Sequence, residues 1–314
     1  MRTLYIIGNG FDIAHGLPTT YWNFREYLSA HHPDFLHFFE EMYDTDFPPK
    51  KFWSALEIEM GHLNITQMEE LAESVLSNMD LEPENVGIKD TMDYYWEGQY
   101  GFIKKLQGYI EEWISSIDLS NIAPLKRELV NNDEDLFLNF NYTETLEKVY
   151  GIANVLHIHG HIGAETHSSP IMGHGNSTEI AERLELLRAA ENIRDESGAS
   201  IQSAIATYLE RTFKDTNSII LQNYAFFENL SEVDHIIIFG WAIGECDVPY
   251  LQKIGSSGLP FKKWTIYYHK PEDLESIKDT FIRTIGRDIY EKSEVEFLES
   301  KTYWDERMDA LCTL

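Results

Sequence analysis

The sequence predicts an α/β fold, a parallel sheet core carrying helical insertions, and three observations lead there. Short apolar runs stop abruptly at glycine or polar residues in four places, as LYII-GNGFD, LFLNF-NYT, VLHI-HGH and IIIF-GWAIGECD. Helical periodicity fills much of the chain between them. One strand, short helix, strand unit joins the second run to the third, and a right-handed crossover makes those two strands parallel. The 314 residues, 43% of them hydrophobic, are ample for a packed core. They are read as one domain over 1–314, with helical insertions at about 30–135 and 178–232.

The organising stretch is Leu4 to Thr20, LYIIGNGFDIAHGLPTT. Four apolar residues read as a buried strand feeding a tight loop at Gly8-Asn9-Gly10, where glycine lets backbone amides approach a ligand. Pro18 sets up the exit, and Thr19 or Thr20 can cap a helix with Tyr21, Phe24 and Leu28 in register. The dinucleotide fingerprint GxGxxG fails, because Ile13 stands where its third glycine belongs and no second strand with an acidic end follows.

Between about Ala30 and Asp135 helical stretches such as 68–79 and 100–117 alternate with loops read at PPKKF, MDLEPEN and GIKD. In the second stretch Phe102, Leu106, Tyr109, Ile110, Trp113 and Ile117 form an apolar stripe. Leu136 to Phe140 alternates as a strand ending at Asn141-Tyr142-Thr143. A helix from Glu144 to about Tyr150 leads to a third strand, Asn154 to Ile158, closing on His159-Gly160-His161. The parallel arrangement brings Asn141 and His159 to the same sheet edge as Gly8-Asn9-Gly10. A loop containing PIMGHGN, a polar helical region from Thr178 to about Phe213, and strands at 236–239 and 264–268 follow. The tail from Glu291 reads as peripheral strand and helix.

The net charge of −28, from 53 acids against 25 bases, repels phosphate backbones and anionic lipid, so a nucleic-acid or membrane partner is disfavoured. A local anion site built from backbone amides is compatible with that field. Cys246 and Cys312 are the only cysteines, too few for a structural zinc cage, and reduced thiols are the default. With no signal peptide core and no stretch long enough to span a bilayer, a cytoplasmic protein is expected.

The residues leave several readings open. Asn141 can act on a ligand or cap the helix that follows it. His157, His159 and His161 alternate and could ligate a metal, with Asp12 or Asp247 as acidic partners, and His174 is ambiguous between ligand and loop residue. Asp247 can equally cap the helix starting near Val248-Pro249.

GNGFDIAHGLPTTYWNF, FNYTETLEKVYG, LHIHG, MGHGN and FGWAIGECD, in this order from Leu4 to Tyr250, resemble the landmarks of the bacteriophage abortive-infection AbiH family. That family in turn resembles the sirtuin-type, Rossmann-like NAD-binding fold. The first loop is similar to the sirtuin GAG…SGIP…FR pattern, FNYT to its asparagine-bearing strand end, and HG to its catalytic histidine and glycine. Two cysteines leave no room for the sirtuin zinc module, and Phe24-Arg25 sits later than that pattern places it. The resemblance implies an anti-phage protein, an enzyme that hydrolyses NAD to nicotinamide and ADP-ribose without a metal. In that reading Asn141 orients the ribose and His159 handles the water or hydroxyl. Gly8, Asn9 and Gly10 face the pyrophosphate, Phe11 and Asp12 lie near the nicotinamide, Thr143 adds a binding contact, and Gly240, Trp241 and Asp247 approach the adenosine half. A metal-dependent hydrolase built on the histidines and a nucleotide sensor without turnover are the alternatives. A second copy or a phage-derived trigger is the kind of partner such a protein would answer to.

Overall fold

The structure is a computed structural model and describes residues 2–43, 48–77, 88–125, 134–163, 167–257 and 262–309. The described chain divides into two compact units. The first comprises Met1–Thr20, Glu111–Ile171 and Asp215–Leu314; the second comprises Tyr21–Ile110 and Met172–Lys214.

The first unit is built on six parallel strands: β1 Thr3–Ile7, β2 Leu136–Asn139, β3 Val155–His157, β4 His235–Phe239, β5 Lys263–Tyr268 and β6 Glu294–Glu299. Their order across the sheet is β3-β2-β1-β4-β5-β6. This is the doubly wound, Rossmann-like order, in which ligands bind beyond the carboxyl ends of the strands. β1 lies at the centre because it is apolar on both faces: all five of its residues are buried. Leu4 and Ile6 join Leu138, Ile236, Ile238 and Trp264 on one side, while Tyr5 and Ile7 join Phe137, Leu146 and Phe239 on the other. Each such aliphatic side chain contributes about 1.5–3 kcal/mol by leaving water. The register pairs Ile7 with Asn139 and Phe239, and Asn139 with His157, so Gly8, Phe140, Ile158 and Gly240 all leave the sheet at one edge.

The strands read from the sequence are present with ends shifted by a residue or so. β6 and a helix at Ser300–Asp309 account for the tail. The Gly8–Ala14 stretch departs from its expected loop form. A six-residue helix, Asn9–Ala14, starts directly after β1, and the turn comes afterwards at Gly16, with φ +77°. Neither glycine nor asparagine favours a helix there. Burial of the Phe11 ring holds it instead.

The second unit is helical. Tyr21–His31 buries Phe24 and Leu28, as its spacing predicts. PPKKF, read as a loop, opens a helix at Pro49–Ser54, where proline at the first turn forfeits no hydrogen bond. MDLEPEN lies outside the described residues. The polar region after Thr178 is two helices, Ser177–Ile193 and Glu196–Arg211, with Arg194 at φ 59° between them and Asp195 capping the second. The expected insertions also ran past this unit. Thr216–Gln222 and Tyr224–Asn229 belong with the sheet, where Ile219 and Phe227 enter the same core as Leu4.

Candidate functional site

At the carboxyl edge the first and fourth strand ends meet without side chains between them. The Gly8 amide donates to Phe239 O and the Gly10 amide to Gly240 O, both at 2.9 Å. A Cβ on Gly8 would fall 2.5 Å from Trp241 Cα, and one on Gly240, itself at φ +67°, would fall 2.5 Å from Phe11 N. The glycines that looked like a phosphate cradle are thus occupied in letting two loops touch, and their amides serve neighbouring carbonyls. Asn9 is bound to the turn behind it, donating Nδ2 to Thr19 O and accepting from the Thr19 hydroxyl. Arg25 makes a bidentate pair with Glu40 inside the helical unit, which also takes the Trp53 indole N–H.

What the tight junction positions is Asp12. This carboxyl is wholly buried on the short helix after β1. Its Oδ2 accepts the Thr143 hydroxyl at 2.5 Å, and Thr143 is in turn 3.1 Å from the Thr145 hydroxyl. Oδ1 is buried with no hydrogen-bond partner among the described residues. Burial drives the Asp12 carboxyl up to about 6, and Thr143, Thr145, His157 and Asn141 pull it partly back by favouring the charged form. Of these neighbours Thr143 alone has good hydrogen-bond geometry to the carboxylate. The others act at longer reach.

Asn141 does not cap the following helix. Its Nδ2 donates to Gly8 O at 3.2 Å, tying the end of β2 to the end of β1. Asn139, the buried amide two residues earlier, accepts the Asn141 backbone N–H through Oδ1. His157 is clamped at both ring nitrogens, Nδ1 3.0 Å from Asn141 O and Nε2 2.7 Å from Glu147 Oε1. Glu147 was missed in the sequence: it lies on the six-residue helix Thr145–Tyr150, and nothing in its spacing announces a histidine partner.

The alternating histidines part company because the strand ends at His157 and the chain turns at Gly160, φ +79°. His157 and His161 stack, with ring centroids 4.6 Å apart, and His161 Nδ1 sits 3.1 Å from the Ser168 hydroxyl. His159 lies among aromatic rings instead, edge-on to Phe140 and tilted on Tyr250, with Nε2 3.6 Å from Asp247 Oδ1. Asp247 stands at the cap position of Val248–Ser256 yet makes no side-chain cap bond. Its Oδ2 takes the Trp241 indole N–H at 3.2 Å, and Trp241 stacks on Phe140. Two groups therefore form along one edge: Asp12 with Asn141, Thr143, His157 and Glu147, and His159 with Asp247, Trp241 and Tyr250. Among the described residues no three His, Cys, Asp or Glu side chains are arranged to hold a metal. His174 is a buried packing residue of the helical unit, with Nε2 donating to Leu209 O and Nδ1 accepting the Asn176 N–H.

A cleft of about 700 Å³ opens beside Thr143 and Glu144, walled by the 114–122 segment, Lys148, Ile162 and Gly163. The residues that mark this edge also carry the family signal. The sequence matches the family model described as bacteriophage abortive infection AbiH over residues 4–268. The chain belongs to the AbiH family. All of the residues of both groups fall inside the AbiH match, as do β2 to β5 and all of β1 after Thr3. A phage abortive-infection function follows for this AbiH chain at the level of its family. No curated protein and no solved structure matches the chain. No helix among the described residues is long and apolar enough to cross a membrane.

Proposed function

We propose that this AbiH protein is an NAD hydrolase on a sirtuin-like core, converting NAD and water to nicotinamide, ADP-ribose and a proton. The observation that carries the reading is Asp12: a buried carboxyl with one oxygen unsatisfied, at the ligand-binding edge of a doubly wound sheet, bonded to a threonine that lines a cleft. Breaking the bond between nicotinamide and ribose builds positive charge on the ribose. A carboxylate in a dry site answers that charge far better than one in water. Its raised pKa also suits it to accept a proton near neutral pH.

In this reading Asp12 faces the developing charge, Thr143 holds it in place, and Asn141 orients the ribose hydroxyls from the end of β2. His159, backed by Asp247, handles the attacking water. Gly8, Gly10 and Gly240 act by bringing the Asp12 helix against the β4 loop, a different task from binding the pyrophosphate. Likeness of the motifs to the sirtuin pattern supports NAD as the substrate.

The test is direct. Purified protein is incubated with NAD, with and without chelator, and nicotinamide is followed by chromatography. Release that survives chelator and falls at least a hundredfold in Asp12→Asn, Asn141→Ala and His159→Ala supports the assignment. Binding of NAD without release overturns it in favour of a sensor. Release abolished by chelator overturns it in favour of a metal hydrolase.

A further inference from the structure

The chemistry of the cleft wall bears on which part of a substrate it can receive, an inference that rests on the hydrolase reading of the same edge. The geometry points to a cleft that takes the positively charged aromatic end of an N-ribosyl substrate and leaves phosphate groups outside.

Donors come first. A phosphate needs several N–H or O–H groups converging on it, or a free cation. Four backbone amides of the lining are committed within the protein: Ser116 to Glu112 O and Trp113 O, Ile117 to Ile114 O, Ile122 to Leu119 O and Ile162 to Tyr142 O. The Ser120 amide donates to Asp118 Oδ1, the Ser116 hydroxyl to Trp113 O and the Thr143 hydroxyl to Asp12. What these groups leave facing a ligand is weighted toward acceptors.

Charge is the second observation. Three ionisable side chains line the cleft, Asp118, Glu144 and Lys148. Lys148 Nζ lies 3.7 Å from Glu144 Oε2, which leaves the lining with one negative charge in excess. Hydrogen bonds from Ser120, side chain first and then backbone, hold the Asp118 carboxyl below its ordinary value, so it stays charged at neutral pH. Shape is the third. Ile114, Ile117, Leu119, Ile122 and Ile162 supply apolar wall, suited to the faces of a flat ring. A pyridinium joined to ribose through nitrogen combines flat apolar faces with positive charge. When its bond to ribose breaks, the bonding pair goes to the ring nitrogen and the ring leaves neutral. The positive charge passes to the ribose carbon, where water adds and gives up a proton, and the Asp12 carboxyl is tied through its Oδ2 to Thr143 at that wall.

The experiment titrates the full chain calorimetrically with 1-methylnicotinamide, a pyridinium cation that has no ribose bond to cleave, and in parallel with neutral nicotinamide and with AMP. The cation is expected to bind at least fivefold more tightly than nicotinamide. Asp118→Asn, an exposed position whose replacement spares the core, is expected to weaken the cation three- to tenfold and leave AMP unchanged. Equal binding of cation and neutral ring, displacement of the cation by AMP, or indifference to Asp118→Asn overturns the assignment. NAD turnover is read separately. Selective cation binding without turnover defeats the hydrolase reading and leaves the cleft assignment standing, whereas turnover without selective cation binding defeats the cleft assignment alone.

Discussion

Replacing Asp12 by Asn sets fold stability against chemistry at a single side chain. Burial lifts this carboxyl from 3.8 to about 6, so between those pH values the folded chain binds the proton more tightly than the unfolded chain does. The stability associated with this group is therefore greatest below about pH 4, falls as the pH rises from about 4 to 6, and is flat above. About two pH units at 1.36 kcal/mol each make the charged carboxylate a burden of about 3 kcal/mol at pH 7. Asn has the same shape, and its carbonyl oxygen can accept the Thr143 hydroxyl. Its amide, placed where Oδ1 now lies without a partner, costs about 1–3 kcal/mol. The expected balance at pH 7 runs from no change to a gain of about 2 kcal/mol, together with loss of the slope between pH 4 and 6. NAD cleavage is expected to drop at least a hundredfold in the same protein. Urea unfolding of wild type and variant at half-unit steps from pH 4.5 to 8 reads the first quantity, and nicotinamide release reads the second. A variant more than about 1 kcal/mol less stable at pH 7, or one that keeps the wild-type slope, would refute the account of burial given for this carboxyl.

Three further outcomes are expected. Thr143→Val removes the one well-formed hydrogen bond to the Asp12 carboxylate, so the acidic limb of NAD cleavage should move up by roughly one to two pH units; an unmoved limb detaches Thr143 from the ionisation of Asp12. Gly240→Ala places a Cβ 2.5 Å from Phe11 N at a φ of +67°, and thermal unfolding should show a loss of about 3 kcal/mol or more, or no folded protein. Lys262 is buried with Nζ donating to Leu230 O, and burial lowers its ammonium to about 8. The folded chain gives up this proton before the unfolded chain does, so the contribution to stability rises between about pH 8 and 10.5, by up to about 3 kcal/mol. Lys262→Met should abolish that rise in urea unfolding curves collected across the same range.

The sheet was legible because its inner strands need no polar face. Runs such as Leu4–Ile7 and Ile236–Phe239 are apolar on both sides and stop at glycine, a pattern few other elements produce, and parallel pairing then fixed which ends share an edge. The Asn9–Ala14 helix was hidden because it opens on asparagine and glycine, poor helix formers, and burial of the Phe11 ring is what stabilises it. Gly8 and Gly10 stand out in the sequence as a glycine pair after a strand, but their steric constraint comes from Gly240 and Trp241, more than two hundred residues away. No local pattern encodes such a partner. The same holds for Asp247, whose cap position invited a local reading while its oxygens reach Trp241 and His159. The alternation of His157, His159 and His161 misled for the opposite reason. Period two holds only while the strand continues, and here it ends at His157.

The central place of β1 has a consequence for how the polypeptide comes to be made. Its neighbours on either side begin at Leu136 and His235, so a ribosome delivers the innermost strand well over a hundred residues ahead of either flank. At roughly 5–20 residues per second, the nascent chain carries an unpaired and mostly apolar ribbon for on the order of ten seconds. Synthesis in cells must therefore shelter this segment from premature pairing with other chains.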